Sequence, residues 1–470
     1  MTLNDSRILV VGAGLMGAGI AQVAAQAGHA VDLFDARAGA AEAAKAKLAQ
    51  TFDGLVAKGK LTADAAQATL ARIAPVDVMA TADLVVEAIV ENLDVKRALF
   101  AELELLLPDE AVIATNTSSI SVTALARGMR RPERLVGMHF FNPVPLMKLV
   151  EVVSGLGTDL AVAQAVFDLA ARWGKTPVHT RSTPGFIVNR IARPYYAEAL
   201  MLLQDRVAAP ELIDAVLRAA GFRMGPCELM DLIGHDTNFA VTNSVFAANF
   251  FDRRFTPSLV QQELVDAGFL GRKSGRGFYR YPEGAPALPA VAIAAPTAAQ
   301  VVVHGKGPVA DRFAAALPDA ARELDSDWTG LSIDGRQLRQ TDGRRAAELS
   351  RSTAVFDLPL ATSGDIAYAG DPSTAAWLTV LGLAPRAIAD VPGLIVARTI
   401  AMLINEAADA VSQGVCDEAG ADAAMKLGVN YPAGPFEWLA RWDRRAVAAL
   451  LDRLDQHHRG ERYRVSAYLK

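Results

Sequence analysis

His139 and Glu151 stand twelve positions apart, and an imidazole held by a carboxylate is a general base suited to neutral pH. The histidine lies in Gly137-Met138-His139-Phe140-Phe141-Asn142-Pro143-Val144-Pro145, directly after the strand-like run Leu135-Val136-Gly137-Met138. A lone histidine after a strand is usually structural, so its neighbours decide the reading. The strand would end at the carboxyl edge of a parallel sheet, where ligands bind in open α/β folds. Asn142 offers an uncharged donor nearby, and Glu151 can return on the next strand to orient the imidazole and offset its charge.

A second constellation explains what such a base would serve. Gly12-Ala13-Gly14-Leu15-Met16-Gly17 has the G-x-G-x-x-G spacing, after the apolar run Ile8-Leu9-Val10-Val11 and before an alanine-rich helix. The first glycine allows the tight turn, the second lets backbone N–H groups approach a pyrophosphate, and the third lets helix and strand pack closely. The helix then directs its positive end at the phosphates. Asp35 closes the next strand, Ala30-Val31-Asp32-Leu33-Phe34, 23 positions after Gly12, where a carboxylate can hydrogen-bond an adenosine ribose. It would repel a 2′-phosphate, which favours NAD over NADP, although Arg37 nearby could accommodate one. A nicotinamide cofactor implies hydride transfer, and an alcohol losing hydride needs a base for its proton.

The elements that position these residues are legible in outline. A chain of 470 residues exceeds one ordinary core, and 51% hydrophobic with 21% charged residues is a globular balance. Further strand-like runs at Leu84–Ala88 and Ala111–Ala114 continue the α/β layering to about residue 180. From Thr183 to about Gly277 the pattern is helical, and Pro282, Pro286 and Pro289 mark an Ala-rich linker. Pro184-Gly185-Phe186-Ile187-Val188-Asn189-Arg190 then recurs as Pro392-Gly393-Leu394-Ile395-Val396-Ala397-Arg398, 208 positions later. Glu198 recurs as Glu406 at the same offset, and Gly225-Pro226 as Gly434-Pro435. A duplicated helical module follows from this.

The expected fold is therefore an α/β Rossmann-like domain (1–182), an all-α domain (183–282), a linker with a small degenerate Rossmann-like α/β unit (283–385), and a second all-α module (386–470). The two helical modules should pack against each other. In the central unit Val301-Val302-Val303-His304-Gly305-Lys306-Gly307 resembles a strand and glycine turn, with Ala310 at the third-glycine position and no acidic residue closing a second strand at the right distance. A structural remnant is favoured there over a second nucleotide site.

Composition excludes several classes. A formal net charge of −5 gives no case for nucleic acid or an anionic membrane. Cys227 and Cys416 form no C-x-x-C pair, which argues against a disulfide framework or a structural metal and for a reducing compartment. No segment has signal-peptide character or membrane-spanning length, so a cytoplasmic location is expected.

The ordered set of the glycine motif, Val86-Glu87-Ala88-Ile89-Val90-Glu91-Asn92, Asn116-Thr117-Ser118-Ser119, His139–Pro143 and Pro184–Arg190 resembles the L-3-hydroxyacyl-CoA dehydrogenase family. The likeness runs to about Tyr281, where Gly275-Arg276-Gly277-Phe278-Tyr279 resembles the end of the family's short form, and resumes in the C-terminal helical copy. The long architecture resembles bacterial members acting on 3-hydroxybutyryl-CoA or 3-hydroxyadipyl-CoA, in fatty-acid or phenylacetate-type catabolism.

The resemblance implies roles. His139 matches the catalytic base, Glu151 its partner, Ser118 a residue touching substrate and nicotinamide, and Asn189 a side chain directed at substrate oxygens. Glu91, Lys96, Asn142 and Lys273 match cofactor contacts, and Thr51 and Lys58 match coenzyme A contacts, with Thr51 standing where serine is familiar. Plainer readings stand beside these: Ser118 and Ser119 as a helix N-cap, Glu91 and Lys96 as an exposed pair, and Lys58 as a solvated lysine. The implied reaction oxidises (S)-3-hydroxyacyl-CoA to 3-ketoacyl-CoA with reduction of NAD, and no metal is needed. The alternatives are a related dehydrogenase of a free hydroxy or sugar acid, and a non-catalytic NAD-binding protein. Ala397 in place of Asn189 makes the second module non-catalytic, and a homodimer of the whole chain is left open.

Overall fold

In the computed structural model, residues 2–291 and 296–470 are described. They fall into two compact units, one running to Arg190 and taking in Gln413–Val429, the other comprising Ile191–Ser412 and Asn430–Lys470. The Ala-rich linker expected after Tyr281 includes residues 292–295, outside the described residues.

In the first unit, short aliphatic runs become β1 (Ile8–Val11), β2 (Val31–Phe34), β3 (Ile73–Val76), β4 (Leu84–Glu87), β5 (Val112–Thr115), β6 (Leu135–Phe140), β7 (Leu149–Ser154) and β8 (Thr176–Arg181). They form one sheet in the order β3-β2-β1-β4-β5-β6-β7-β8, parallel except where β6 meets β7. The strands β1, β4, β5 and β6 are buried throughout, which explains their continuous apolar sequence. One apolar cluster joins the sheet to the helices Leu15–Gln26 and Leu160–Arg172, and another to the helix Leu93–Leu106. The antiparallel step sets Glu151 opposite His139.

A late segment completes this unit. The helix Glu418–Gly428 packs on β7 and β8, and Val415 O accepts a 2.9 Å hydrogen bond from Arg181 N. A Cβ at Gly428 would stand 2.8 Å from Leu149 Cδ2 and 2.9 Å from Val188 Cγ2, so glycine is what lets the helix approach so closely.

The second unit holds two sets of helices and a second sheet. The helix Arg193–Gln204 packs against Val396–Ser412, as the expected pairing of modules requires. A buried ion pair joins Arg398 to Glu198 at 2.8 Å, and another joins Arg254 to Glu406 at 3.1 Å. The repeat extends to backbone conformation. Phe186 and Leu394, equivalent by the 208-residue offset, share φ values of 49° and 50°, unusual for bulky side chains.

The second sheet contains β9 (Val301–His304), β10 (Ala321–Glu323), β11 (Gly330–Ile333), β12 (Arg336–Gln340), β13 (Thr353–Phe356), β14 (Gly364–Gly370) and β15 (Leu383–Ala387), in the order β10-β9-β11-β12-β13-β14-β15. It departs from a Rossmann sheet, because β9–β11 and β11–β12 are antiparallel. Its glycine turn does lead into a helix, Pro308–Ala316, and on to a parallel β10. Glu323 ends that strand, 3.2 Å from His304 Nδ1, but only 18 positions after Gly305, short of the 23 that separate Asp35 from Gly12.

The last three strands repeat β6, β7 and β8, an antiparallel step followed by a parallel one. Val178 and Arg386 each precede the duplicated helix start by nine residues, counting to Ile187 and Ile395. Glu151 pairs with Val178 as Ala367 pairs with Arg386, and Asp357 N donates to Ala367 O as the next pair after Phe356 and Tyr368. By register, then, Ala367 stands for Glu151 and Asp357 for His139. The helix Pro210–Ala219 packs on β14 just as its counterpart Glu418–Gly428 packs on β7. No helix among the described residues is long and apolar enough to cross a membrane.

Candidate active site

Strand pairing alone brings the predicted base to its partner. His139 Nδ1 lies 2.6 Å from Glu151 Oε2, with the histidine 6% exposed and the glutamate fully buried. The other carboxylate oxygen, Oε1, accepts from Ile187 N and Val188 N, both at 3.0 Å. Those amides begin the short helix that carries half-buried Asn189. One carboxylate thus orients the imidazole and anchors the Asn189 segment. With Nδ1 engaged, Nε2 is the nitrogen left for a substrate proton. Phe141 and Phe186 flank the ring, at centroid separations of 4.6 and 5.7 Å.

Other contacts were not read from the sequence. Asn116 Oδ1 accepts from Phe140 N at 2.9 Å, pinning the residue after the base. Glu91 Oε1 gathers the following turn, accepting from Thr117 Oγ1 (2.7 Å), Ser118 N (2.9 Å) and Ser119 N (3.0 Å). Burial pushes the Glu91 carboxyl up, but these hydrogen bonds and the Lys96 charge outweigh it and leave its pKa below the ordinary value. Lys96 is 1% exposed, 2.5 Å from Glu87 Oε1 and 3.3 Å from Glu91 Oε2. The plainer reading of Glu91 and Lys96 as an exposed pair is therefore corrected for Lys96, which is buried, whereas Glu91 is exposed on one side. The N-cap reading of Ser118 and Ser119 is corrected too, because Ser121 caps the helix Val122–Leu125 through Ala124 N.

The glycine turn has the shape a dinucleotide requires. A Cβ at Gly12 would lie 2.5 Å from Ala88 O and one at Gly17 only 1.7 Å from Gly12 O, whereas one at Gly14 would meet nothing within 4 Å. Gly14 caps the helix Leu15–Gln26 with no side chain, so the first-turn N–H groups are available to an anion. Asp35 Oδ2 accepts from Ala13 N at 2.8 Å, tying the acidic residue to the turn. The Arg37 guanidinium beside Asp35 holds its carboxyl down at about 2, against a smaller opposing effect of burial.

Beside the turn lies a cavity of about 290 Å³, whose lining includes Gly14, Leu15, Thr51 and Asn142, together with Lys47. Thr51 Oγ1 donates to Lys47 O at 2.9 Å. Lys175 supports the loop after Asn142 through Val144 O and Met147 O, and burial lowers its pKa to about 8. Lys58, exposed at the end of the helix Ala40–Ala57, does not line this cavity. Lys273 belongs to the second unit, where Asp236 holds its ammonium group at 2.5 Å.

In the second sheet Asp357 accepts from Ile395 N (2.9 Å) and Val396 N (2.7 Å), the amides equivalent to those bound by Glu151, and also from Ala397 N (2.8 Å). It anchors a helix and orients no imidazole. No group of His, Cys, Asp and Glu suited to a metal occurs among the described residues.

Comparison with known proteins agrees with this geometry. The profile described as 3-hydroxyacyl-CoA dehydrogenase, NAD binding domain, matches residues 7–183. The profile of the C-terminal domain of the same enzymes matches twice, at 185–281 and 393–470. The 3-hydroxyadipyl-CoA dehydrogenase of Escherichia coli is 46% identical over 485 aligned residues, covering 100% of this chain and 98% of that protein. A probable 3-hydroxybutyryl-CoA dehydrogenase of Deinococcus radiodurans is 44% identical, covering 58% of this chain and 99% of its own length. The crystal structure of a 3-hydroxybutyryl-CoA dehydrogenase from E. coli superposes with a TM-score of 0.89 at 44% identity, covering 99% of this chain and 98% of that one. With the dyad, the dinucleotide turn and both helical modules in place, the chain belongs to the 3-hydroxyacyl-CoA dehydrogenase family and is an NAD-dependent oxidoreductase.

Proposed function

We propose that His139 is the base that takes the 3-hydroxyl proton of an (S)-3-hydroxyacyl-CoA, through Nε2. The 2.6 Å contact between His139 Nδ1 and Glu151 carries this reading, because it fixes the tautomer and leaves a carboxylate to balance the imidazolium that forms. Bound NAD supplies the hydride acceptor. Ser118 and Asn189 hold the substrate oxygens in register, a positioning effect that can be large. Gly12, Gly14, Leu15, Met16 and Gly17 cradle the pyrophosphate and Asp35 selects the unphosphorylated ribose. Glu91 orders the Ser118 turn, with Lys96 as its buried counter-charge, while Asn142 and Lys273 contact the cofactor. Thr51 and Lys58 engage coenzyme A, and the cavity shared by Thr51 and Gly14 supports an acyl-CoA running beside the turn.

We assign four domains, 1–182, 183–282, 283–385 and 386–470, to a cytoplasmic enzyme. Full-length likenesses carry both the 3-hydroxyadipyl-CoA and the 3-hydroxybutyryl-CoA name, which supports a 3-hydroxyacyl-CoA of either kind, from aromatic-acid or fatty-acid catabolism. NAD reduction measured with 3-hydroxybutyryl-CoA, 3-hydroxyadipyl-CoA and the corresponding free hydroxy acids tests this. Turnover of the free acids at rates matching the thioesters would overturn it. Sedimentation equilibrium decides whether the chain forms a homodimer.

A further inference from the structure

We infer that the second unit carries a separate binding site for a small organic anion. It is a cavity of about 270 Å³ between the helix Arg193–Gln204, the segment Arg253–Ser258 and the C-terminal stretch His458–Arg462. Arg193, Arg253, Arg254, Arg459 and Arg462 line it, and no carboxylate does.

The arginines exceed what their own ion pairs neutralise. Arg254 is paired with Glu406 and Asp409, and Arg462 with Glu198, which also serves Arg398. Arg253 and Arg459 form no ion pair among the described residues. A guanidinium fork matches carboxylate or phosphate oxygens in two-point contact.

Two buried nitrogens of lining residues also lack partners. Arg254 Nε, on a side chain almost wholly buried, and His458 Nε2 have no hydrogen-bond partner among the described residues. Both atoms are closed to solvent, so they mark uncompensated polarity behind the cavity wall rather than contacts a ligand would make. Burial lowers the His458 pKa to about 4, so near neutrality its ring adds no charge to that of the arginines.

The opposite character of the remaining wall selects an organic ligand. Tyr196, Leu200, Met201 and Phe255 supply apolar surface, and Arg193 lies 4.9 Å from the Tyr196 ring centroid. A bare inorganic ion would leave that surface wet, whereas a short hydrocarbon body would cover it. The shared recognition chemistry is thus an acidic head group on a short apolar chain, and none of these residues belongs to the catalytic assembly described above.

Calorimetric titration of the full chain, saturated with NADH so that the dinucleotide turn is filled, tests the site. Linear dicarboxylates from succinate to suberate and inorganic phosphate are the separate probes, at low ionic strength. One saturable equivalent of a dicarboxylate with Kd below about 1 mM is expected. Arg253→Ala/Arg459→Ala, altering two side chains at the rim, should weaken it at least about tenfold while NADH affinity and basal turnover stay unchanged. Phosphate binding as tightly as every dicarboxylate would overturn the organic body. Absence of saturable binding, or equal binding by the variant, would overturn the site.

Discussion

Asp357 occupies in the second sheet the register position that His139 occupies in the first. The imidazole has been replaced by a carboxylate and its Glu151 partner by Ala367, yet the duplicated helix start is still anchored. A two-residue assembly that orients a base has become one residue that holds a helix. Burial pushes Asp357 up to about 6, against the hydrogen bonds from Val396, Ala397, Leu358 and Ile395.

That shift sets a pH dependence of stability. An acid whose folded pKa exceeds its unfolded value of about 3.9 holds its proton more tightly when folded. Its contribution is complete below about pH 4 and is lost as pH rises through about 6. Two pKa units correspond to about 3 kcal/mol for this fully buried group. Relative to Asp357→Asn, the wild type should therefore lose about that much unfolding free energy between pH 4 and pH 7.5. Urea denaturation at the two pH values measures it, and a constant difference would refute the shift.

The base itself should separate chemistry from binding. His139→Gln should lower kcat by about 10²–10⁴-fold with NADH affinity unchanged. Glu151→Gln should also slow turnover, and should cost stability as well, because it removes a buried carboxylate serving two backbone amides. If the two act as a unit, the double variant will be hardly slower than His139→Gln alone. Strictly multiplicative losses in steady-state kinetics would contradict the pairing.

These residues differ in how legible they were. Strand alternation and the twelve-residue spacing lead from His139 to Glu151, and a strand end 23 positions past the first glycine leads to Asp35. Asn116 stands within a recognisable motif, but its hold on Phe140 N crosses between neighbouring strands and leaves no periodic trace. The gathering of Thr117–Ser119 by Glu91 is likewise a contact from side chain to backbone across two loops. The central unit was legible as a degenerate copy only at its glycine turn. Its kinship to β6, β7 and β8 lies in strand direction and register, which short runs such as Thr353–Phe356 do not encode.

The proposed ribose contact makes cofactor choice depend on Asp35. Its carboxyl is held near 2 by Arg37 and so does not titrate near neutrality, and preference for NAD over NADP should be flat from pH 7.5 to 9, above the range in which the 2′-phosphate loses its second proton. The stability this group contributes is present above its unfolded pKa and lost only as pH falls towards about 2. Asp35→Ser, which leaves Arg37 free to meet a 2′-phosphate, should move the kcat/KM ratio towards NADP by at least about tenfold. An unchanged ratio would remove Asp35 from the ribose site.

Gly428 tests the late segment. Gly428→Val would press a branched side chain onto Leu149 and Val188, an overpacking that typically costs about 1–3 kcal/mol. Because those neighbours flank Glu151 on its strand and Asn189 on its helix, kcat/KM should fall more than NADH affinity does. Equal losses in the two measurements would mean the helix merely stabilises the fold.

The return of Gln413–Val429 to the catalytic unit also bears on how such a chain can be divided. Each sheet is covered by a helix from the module encoded beside the other, Pro210–Ala219 on β14 and Glu418–Gly428 on β7. Cut at the linker, the polypeptide would yield two fragments, each missing the piece its counterpart carries. Co-expressed, they should complement one another and restore dehydrogenase activity that neither half sustains alone.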